Sequence, residues 1–268
     1  MKIAFIGGGN MGTAILSALI EKILAKAAEI TVSDVVIDRL EYLKKTYGVS
    51  VTAENTSAIV DKEVVLFSVK PQTVPEVMPE LKDKICNEQL IVSIMAGIQI
   101  STLREGLNHN SIVRVMPNMP AQVFDGMSGW TATSKVTENQ KELTRSILQA
   151  IGREIYFDDE NYLDMVTALS GSGPAYFFYF VESLTEAGIK MGFSYDEAYE
   201  LVLQTMIGAG KLMHETKTNP EELRKMVTSK GGTTAAALNV FESNNYKDLV
   251  IQAIMAAYSR SKELGGKQ

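Results

Sequence analysis

Ile3-Ala4-Phe5-Ile6-Gly7-Gly8-Gly9-Asn10-Met11-Gly12 is the stretch that decides the fold. Four consecutive apolar residues suit a short strand covered on both faces, and three glycines then end it. From residue 11 to about residue 24 apolar residues recur at helical spacing. Gly7, Gly9 and Gly12 therefore form G-x-G-x-x-G between a strand and a helix, the setting in which that pattern carries meaning. Gly7 permits the tight turn, Gly9 lets backbone approach a pyrophosphate, and Gly12 lets the helix pack closely on the strand. Asn10 and Met11 open the helix, where unpaired N–H groups and a partial positive charge favour phosphate.

Outward from this turn, strand-like and helix-like stretches alternate. Residues 30–32, 49–51, 63–69, 90–94, 112–116 and 153–157 read as strands. Residues 38–47, 73–81, 101–106 and 137–151 have helical spacing, the last with Thr137 as N-cap and Gly152 as stop. This alternation predicts a parallel sheet wrapped by helices, a Rossmann domain over residues 1–158. After Asp158-Asp159-Glu160 no strand pattern remains. Residues 161–169, 174–191, 195–215, 220–227, 233–242 and 247–264 all look helical, so residues 159–268 are expected to form an all-helical domain. Ser194-Tyr195-Asp196-Glu197 resembles a capping box, and Pro220 stands at a first helical position with acids following.

The second strand leads to Asp34, 22 residues past Gly12. An acid there hydrogen-bonds the adenine ribose and repels a 2′-phosphate, which favours NADH. Ser33 offers a hydroxyl to a 2′-phosphate, and Arg39 and Lys44 follow closely in sequence, so NADH and NADPH both stay open. Val69-Lys70-Pro71 and Ala96-Gly97 lie at ends of expected strands, where ligands of open sheets gather. Asn118 is a polar side chain held between Pro117 and Pro120.

The rest of the composition narrows the field. With 268 residues, 46% of them hydrophobic, the chain can bury a core in one large domain or two modest ones. A net charge of -6 with no basic block argues against nucleic acid. The apolar run 174–181 falls far short of the ~20 residues needed to span a bilayer, so no membrane partner is expected. The start of the sequence lacks the pattern of a secretory signal, and Cys86, alone, forms no internal disulfide; a cytoplasmic setting is expected. No His or Cys spacing suggests a metal. His109 reads as part of an exposed turn, and His214 stands at a helix end.

Gly231-Gly232-Thr233-Thr234 before a helical stretch places N–H donors and hydroxyls at a helix start, a combination that suits a carboxylate. Tyr176-Phe177-Phe178-Tyr179-Phe180 spans more than a helical turn. A helix apolar on all sides must be buried, which in a helical domain of this size points to a subunit interface.

Over essentially its full length the chain resembles the pyrroline-5-carboxylate reductase family. The residues that carry the resemblance are Phe5–Gly12, Val69-Lys70-Pro71, Met95-Ala96-Gly97, Met116-Pro117-Asn118-Met119-Pro120, Leu169-Ser170-Gly171-Ser172-Gly173-Pro174-Ala175-Tyr176 and Gly231-Gly232-Thr233-Thr234. The resemblance implies reduction of the cyclic imine 1-pyrroline-5-carboxylate to L-proline with NADPH or NADH, an active site between the two domains, and a homodimer through the C-terminal helices, sometimes assembled further. It implies that Asn55 contacts the adenosine ribose, and that Val69, Lys70, Pro71, Ala96 and Gly97 line the cofactor; Asn118, fixed between its prolines, is expected to join them. It further implies that Ser229, Gly232 and Thr233 hold the substrate carboxylate and that Thr234 faces the ring nitrogen. The chain departs from the family pattern at Lys230, where proline is usual, and at Lys225 and Met119.

An iminium carbon is already electrophilic, so hydride addition needs positioning more than a strong acid, in keeping with a chain of two histidines. Three other readings compete. A reductase of a related cyclic imine shares every motif. A β-hydroxyacid dehydrogenase relative would carry a lysine soon after Gly171-Ser172-Gly173, whereas none occurs before Lys190. A non-catalytic redox sensor would bind NAD(P) without needing residues 229–234.

Overall fold

The computed structural model describes residues 1–266. Strands β1 (Ile3–Ile6), β2 (Ile30–Ser33), β3 (Ser50–Thr52), β4 (Val64–Phe67), β5 (Leu90–Ser93), β6 (Ile112–Met116), β7 (Gly126–Ala132) and β8 (Gly152–Tyr156) form one sheet in the order β3-β2-β1-β4-β5-β6-β7-β8. Strands β1 to β6 run parallel; β7 is antiparallel to β6, and β8 runs parallel to β7. Every residue of β1, β4 and β5 is buried, as their unbroken apolar runs require.

Helices α1 (Asn10–Glu21), α2 (Ile37–Tyr47), α3 (Asn55–Ala58), α4 (Val74–Leu81), α5 (Ile100–Leu107) and α6 (Glu138–Ala150) cover the sheet. Side chains alternate across a strand, so β1 feeds two cores. Ile3 and Phe5 pack with Ile15, Leu19, Leu43 and Trp130, while Ala4 and Ile6 pack with Phe67, Leu81 and Leu103. Thr137 caps α6 in a reciprocal capping box with Gln140, as its position before the helix predicts.

Two features differ from the sequence reading. Strand β7 lacks a continuous apolar run and carries Gly126 and Gly129, residues depleted in strands. Both glycines answer to close approach: a Cβ at Gly126 would lie 2.9 Å from the Ala121 amide nitrogen and the Ile151 carbonyl, and one at Gly129 would lie 2.7 Å from Val166 Cγ2. Gly152 does more than stop α6; at φ +144° it opens β8, hard against Gly126. The second correction concerns His109, which is buried rather than in an exposed turn. Its Nε2 lies 2.9 Å from the Gln89 carbonyl, so Nε2 carries the proton and donates; Nδ1 is buried with no partner. The amide of Gln89 is itself fixed by the carbonyls of Ile59 and Lys62.

Beyond β8 come α7 (Tyr162–Val166), a π-turn over Thr167–Gly171, and helices α8 (Gly173–Met191), α9 (Tyr195–Thr216), α10 (Pro220–Met226), α11 (Thr233–Ser243) and α12 (Tyr246–Leu264). Ser194 caps α9 in a box with Glu197, and Pro220 stands at the start of α10 under the Asn219 cap. The chain forms two compact units. The first is Met1–Ser172 joined by the chain from Ala257 onward, and the second is Gly173–Ala256. Compactness thus divides the chain later than the composition change at 158/159. Helix α7 packs on β6 and β7, and buried Arg114 pairs with Glu160 at 2.6 Å. Ser261 donates to Asp164 Oδ1 at 2.9 Å, which ties the last helix back to this unit.

Adding a methyl at Gly129 overpacks a sheet interior, so Gly129→Ala is expected to cost about 1–3 kcal/mol of stability in urea unfolding. Val166→Ala removes the opposing methyls and should restore part of that loss in the double variant; simple additivity would refute the contact. Burial pushes the His109 imidazole below its ordinary value, against a smaller upward pull from its bond to Gln89. The unfolded chain then binds the extra proton first, so stability should be full above about pH 6.5 and fall as the pH drops below it. His109→Gln should flatten that part of a pH series of unfolding midpoints.

Candidate active site

The glycine turn is shaped by what the chain around it leaves no room for. Gly7 sits at φ +100°, where a Cβ would also lie 2.9 Å from the Ser68 and Val69 backbone. A Cβ at Gly12 would lie 2.7 Å from Ser68 Oγ and 3.0 Å from the Gly7 carbonyl. Ser68 Oγ donates to that carbonyl at 2.7 Å, closing β1, β4 and α1 on one another. Gly9 is different. It is exposed, and a Cβ there would meet nothing nearer than the Ser68 carbonyl at 4.0 Å. It is also the N-cap of α1, with no side chain capping the helix. Asn10 is exposed and Met11 half-buried beside it. An uncapped helix start over an open glycine fits a pyrophosphate, with the backbone N–H groups as donors.

At the end of β2, Asp34 accepts from Gly8 N at 2.7 Å through Oδ2 and from Val36 N at 2.9 Å through Oδ1. Ser33 is fully buried; its hydroxyl donates to Asn55 Oδ1 at 2.7 Å and also reaches the Phe5 carbonyl. Asn55 Nδ2 donates to Glu80 at 2.6 Å. Arg39 donates through Nε to the Gly8 carbonyl at 2.5 Å and through Nη2 to Thr13 Oγ1 at 2.6 Å, with its guanidinium over the Tyr42 ring. The sequence placed Asp34, Ser33 and Asn55 in one neighbourhood, and the structure brings them together. It gave no sign that Arg39 grips the glycine turn, because that contact spans 31 residues of chain.

β1 lies between β2 and β4, so the strand order reverses there and a crevice opens at the strand ends. Val69, Lys70 and Pro71 follow β4 on its rim. Lys70 is exposed, and its carbonyl accepts from Thr73 N at 3.0 Å. Ala96 is exposed after β5, and Gly97 sits at φ +75° against the Leu264 carbonyl. Gln99 Nε2 donates to the Gly265 carbonyl nearby. The prolines around Asn118 do hold its side chain for a purpose: Oδ1 accepts from Met127 N at 2.8 Å, and Nδ2 donates to Ser170 Oγ at 3.3 Å. Asn118 thereby links the start of β7 to the π-turn, whose Gly171 leaves space for Met116.

In the second unit, Gly231 at φ +74° turns the chain into Gly232, the N-cap of α11, again with no side-chain cap. Gly232 N donates to the Ser229 carbonyl at 3.1 Å. Ser229 and Thr233 are exposed and Thr234 is half-buried on the first turn of α11. The N–H groups of the first turn of α11, which no side chain caps, can receive a carboxylate together with the hydroxyls beside them. Lys230 is exposed, and Lys225 pairs with Glu221 at 2.7 Å. The aromatic run on α8 is strongly exposed within one chain: Phe177, Phe178 and Tyr179 keep 58%, 55% and 71% of their surface. An apolar groove of about 680 Å³ runs between α8 and α9, lined by Phe177, Phe180, Leu184, Met206, Ala209 and Met213. Among the described residues no cluster of three His, Cys, Asp or Glu side chains is placed to hold a metal.

The two glycines predict different failures. Gly9→Ala should leave thermal stability nearly unchanged and weaken dinucleotide binding, read by calorimetric titration. Gly12→Ala should lower both, because its methyl drives α1 off β4. A Gly9→Ala protein that binds normally would remove the turn from the site.

Residues 160–264 match the family model described as pyrroline-5-carboxylate reductase dimerisation, and residues 2–97 match the model described as NADP oxidoreductase, coenzyme F420-dependent. A pyrroline-5-carboxylate reductase of Pseudomonas aeruginosa is 41% identical over 98% of this chain and 96% of its own length. The solved pyrroline-5-carboxylate reductase of Coxiella burnetii superposes with a TM-score of 0.91 at 38% identity, covering 98% of each chain. The Plasmodium falciparum pyrroline carboxylate reductase, solved with NADP bound, has a TM-score of 0.89 at 30% identity over 99% of this chain and 98% of its own. Likeness of this depth across both units leaves one assignment: the chain belongs to the pyrroline-5-carboxylate reductase family.

Proposed function

We propose that the chain reduces 1-pyrroline-5-carboxylate to L-proline with NADH or NADPH, the last step of proline biosynthesis. The observation that carries this reading is end-to-end identity near 40% to named reductases, spanning both the dinucleotide turn and the carboxylate turn. Residues 1–158 bind the dinucleotide. Gly7, Gly9, Asn10, Met11 and Gly12 receive its pyrophosphate, Asp34 its ribose, Ser33 and Asn55 brace that end, and Val69, Lys70, Pro71, Ala96, Gly97 and Asn118 form the rim. Residues 159–268 bind substrate and pair the subunits.

The bound nicotinamide supplies a hydride. The protein's part is to hold an anionic ring whose nitrogen is protonated. The Thr233 N–H and the Ser229 hydroxyl donate to the carboxylate, joined by the Gly232 N–H as it leaves the Ser229 carbonyl, and the Thr234 hydroxyl holds the ring nitrogen as its charge is lost on reduction. No strong acid is needed, because the proton is on nitrogen before the hydride arrives.

The exposed aromatic face of α8 and its groove exceed what a monomer leaves in water. A second copy covers them, giving a homodimer as the building block of any larger assembly. No described helix is long and apolar enough to cross a membrane, and the reading places the enzyme in the cytoplasm.

Adding 1-pyrroline-5-carboxylate to the protein and reduced cofactor should consume the nicotinamide absorbance. Cofactor binding without consumption would favour a redox sensor, and consumption only with a six-membered imine would shift the substrate. Thr234→Ala should lower kcat roughly a hundredfold while cofactor affinity holds. Sedimentation should give twice the 29.4 kDa chain mass or a multiple of that, and Phe180→Glu should shift it toward the monomer.

A further inference from the structure

We propose that this chain is selective for NADH over NADPH, with Asp34 as the determinant and Arg39 withheld from the 2′ position. The proposal rests on the dinucleotide reading above. Three side chains near the end of β2, Ser33, Arg39 and Lys44, offer themselves to a 2′-phosphate in the sequence, and the structure adds the Val36 N–H. The Ser33 hydroxyl is fully buried and spent on Asn55 and Phe5. The Arg39 guanidinium is committed to the Gly8 carbonyl and Thr13, and it stacks on Tyr42. Lys44 lies in the last turn of α2, about 10 Å along the helix axis from its start at Ile37. Val36 N already donates to Asp34.

What remains is a carboxylate held in place by two backbone N–H groups, followed by Val35, Val36 and Ile37, all exposed and none able to donate from a side chain. Apolar surface next to a fixed acid suits an adenine ring and a ribose diol, which can donate both hydroxyls to the carboxylate. A 2′-phosphate would bring two negative charges against Asp34, while the nearest guanidinium in the chain, Arg39, is held on the Gly8 carbonyl and Thr13. Freeing Arg39 to meet it would unfasten the Gly8 carbonyl and Thr13, so the turn that binds the pyrophosphate would be loosened.

The test is calorimetric titration of the full, cofactor-free protein with NADH and NADPH, alongside the reductase assay. NADH should bind at least about tenfold more tightly. Asp34→Asn keeps one oxygen for the Gly8 N–H and removes the charge, so it should narrow the ratio from both sides, weakening NADH as the diol loses an acceptor and tightening NADPH as the repulsion goes. Arg39→Ala should weaken both cofactors alike. NADPH binding as tightly as NADH, an unchanged ratio in Asp34→Asn, or a loss confined to NADPH in Arg39→Ala would each overturn the proposal while leaving the reductase reading intact. Binding of neither cofactor would overturn both.

Discussion

Helix α1 lies against the ends of β1 and β4 only because positions 7 and 12 carry no side chain. Backbone and the Ser68 hydroxyl fill the space a Cβ would take at either glycine. That approach aims the helix axis at the crevice beside β1 and leaves Gly9 as an open floor. The arrangement is maintained by short polar links from three directions. Ser68 holds the Gly7 carbonyl, Asp34 holds the Gly8 N–H, and Arg39 holds the Gly8 carbonyl. Binding a dinucleotide therefore costs the turn little ordering, since the backbone donors are already aligned when it arrives.

The sheet was legible wherever a strand is buried on both faces, because such strands announce themselves as unbroken apolar runs. Residues 3–6 and 112–116 match their strands to the residue. Strand β7 was not legible. Its glycines follow from what lies across from them, Ala121, Ile151 and Val166, and none of those is close in sequence. His109 misled for a related reason: flanking asparagines suggest a turn, while the burying partner is Gln89, 20 residues earlier. Helices α9, α10 and α11 were read well, since Ser194, Asn219 and Gly232 mark where they start.

The site was legible unevenly. Glycines at fixed spacing and threonines after a glycine pair are local patterns, so both helix starts that lack a side-chain cap could be found. The partner of each side chain was not visible. That the Ser33 hydroxyl is spent on Asn55, and that the Asn118 amide braces Met127 and Ser170, appears only in the fold. Likewise, the aromatics of α8 declare that the helix must be buried, but one chain's sequence does not say that so much of that surface stays open when the chain folds by itself.

The order of the units along the chain has a consequence for biosynthesis. The first compact unit is interrupted: the chain leaves it at Ser172 and returns at Ala257, so the helical unit is an insertion within it. The returning segment is fastened by Ser261 to Asp164 and by the Gly265 carbonyl to Gln99. Most of the sheet can thus form before the helical unit is made, whereas the closing piece follows that unit in the chain. The insertion is anchored at both of its ends, which lowers the chain entropy its helices lose on folding.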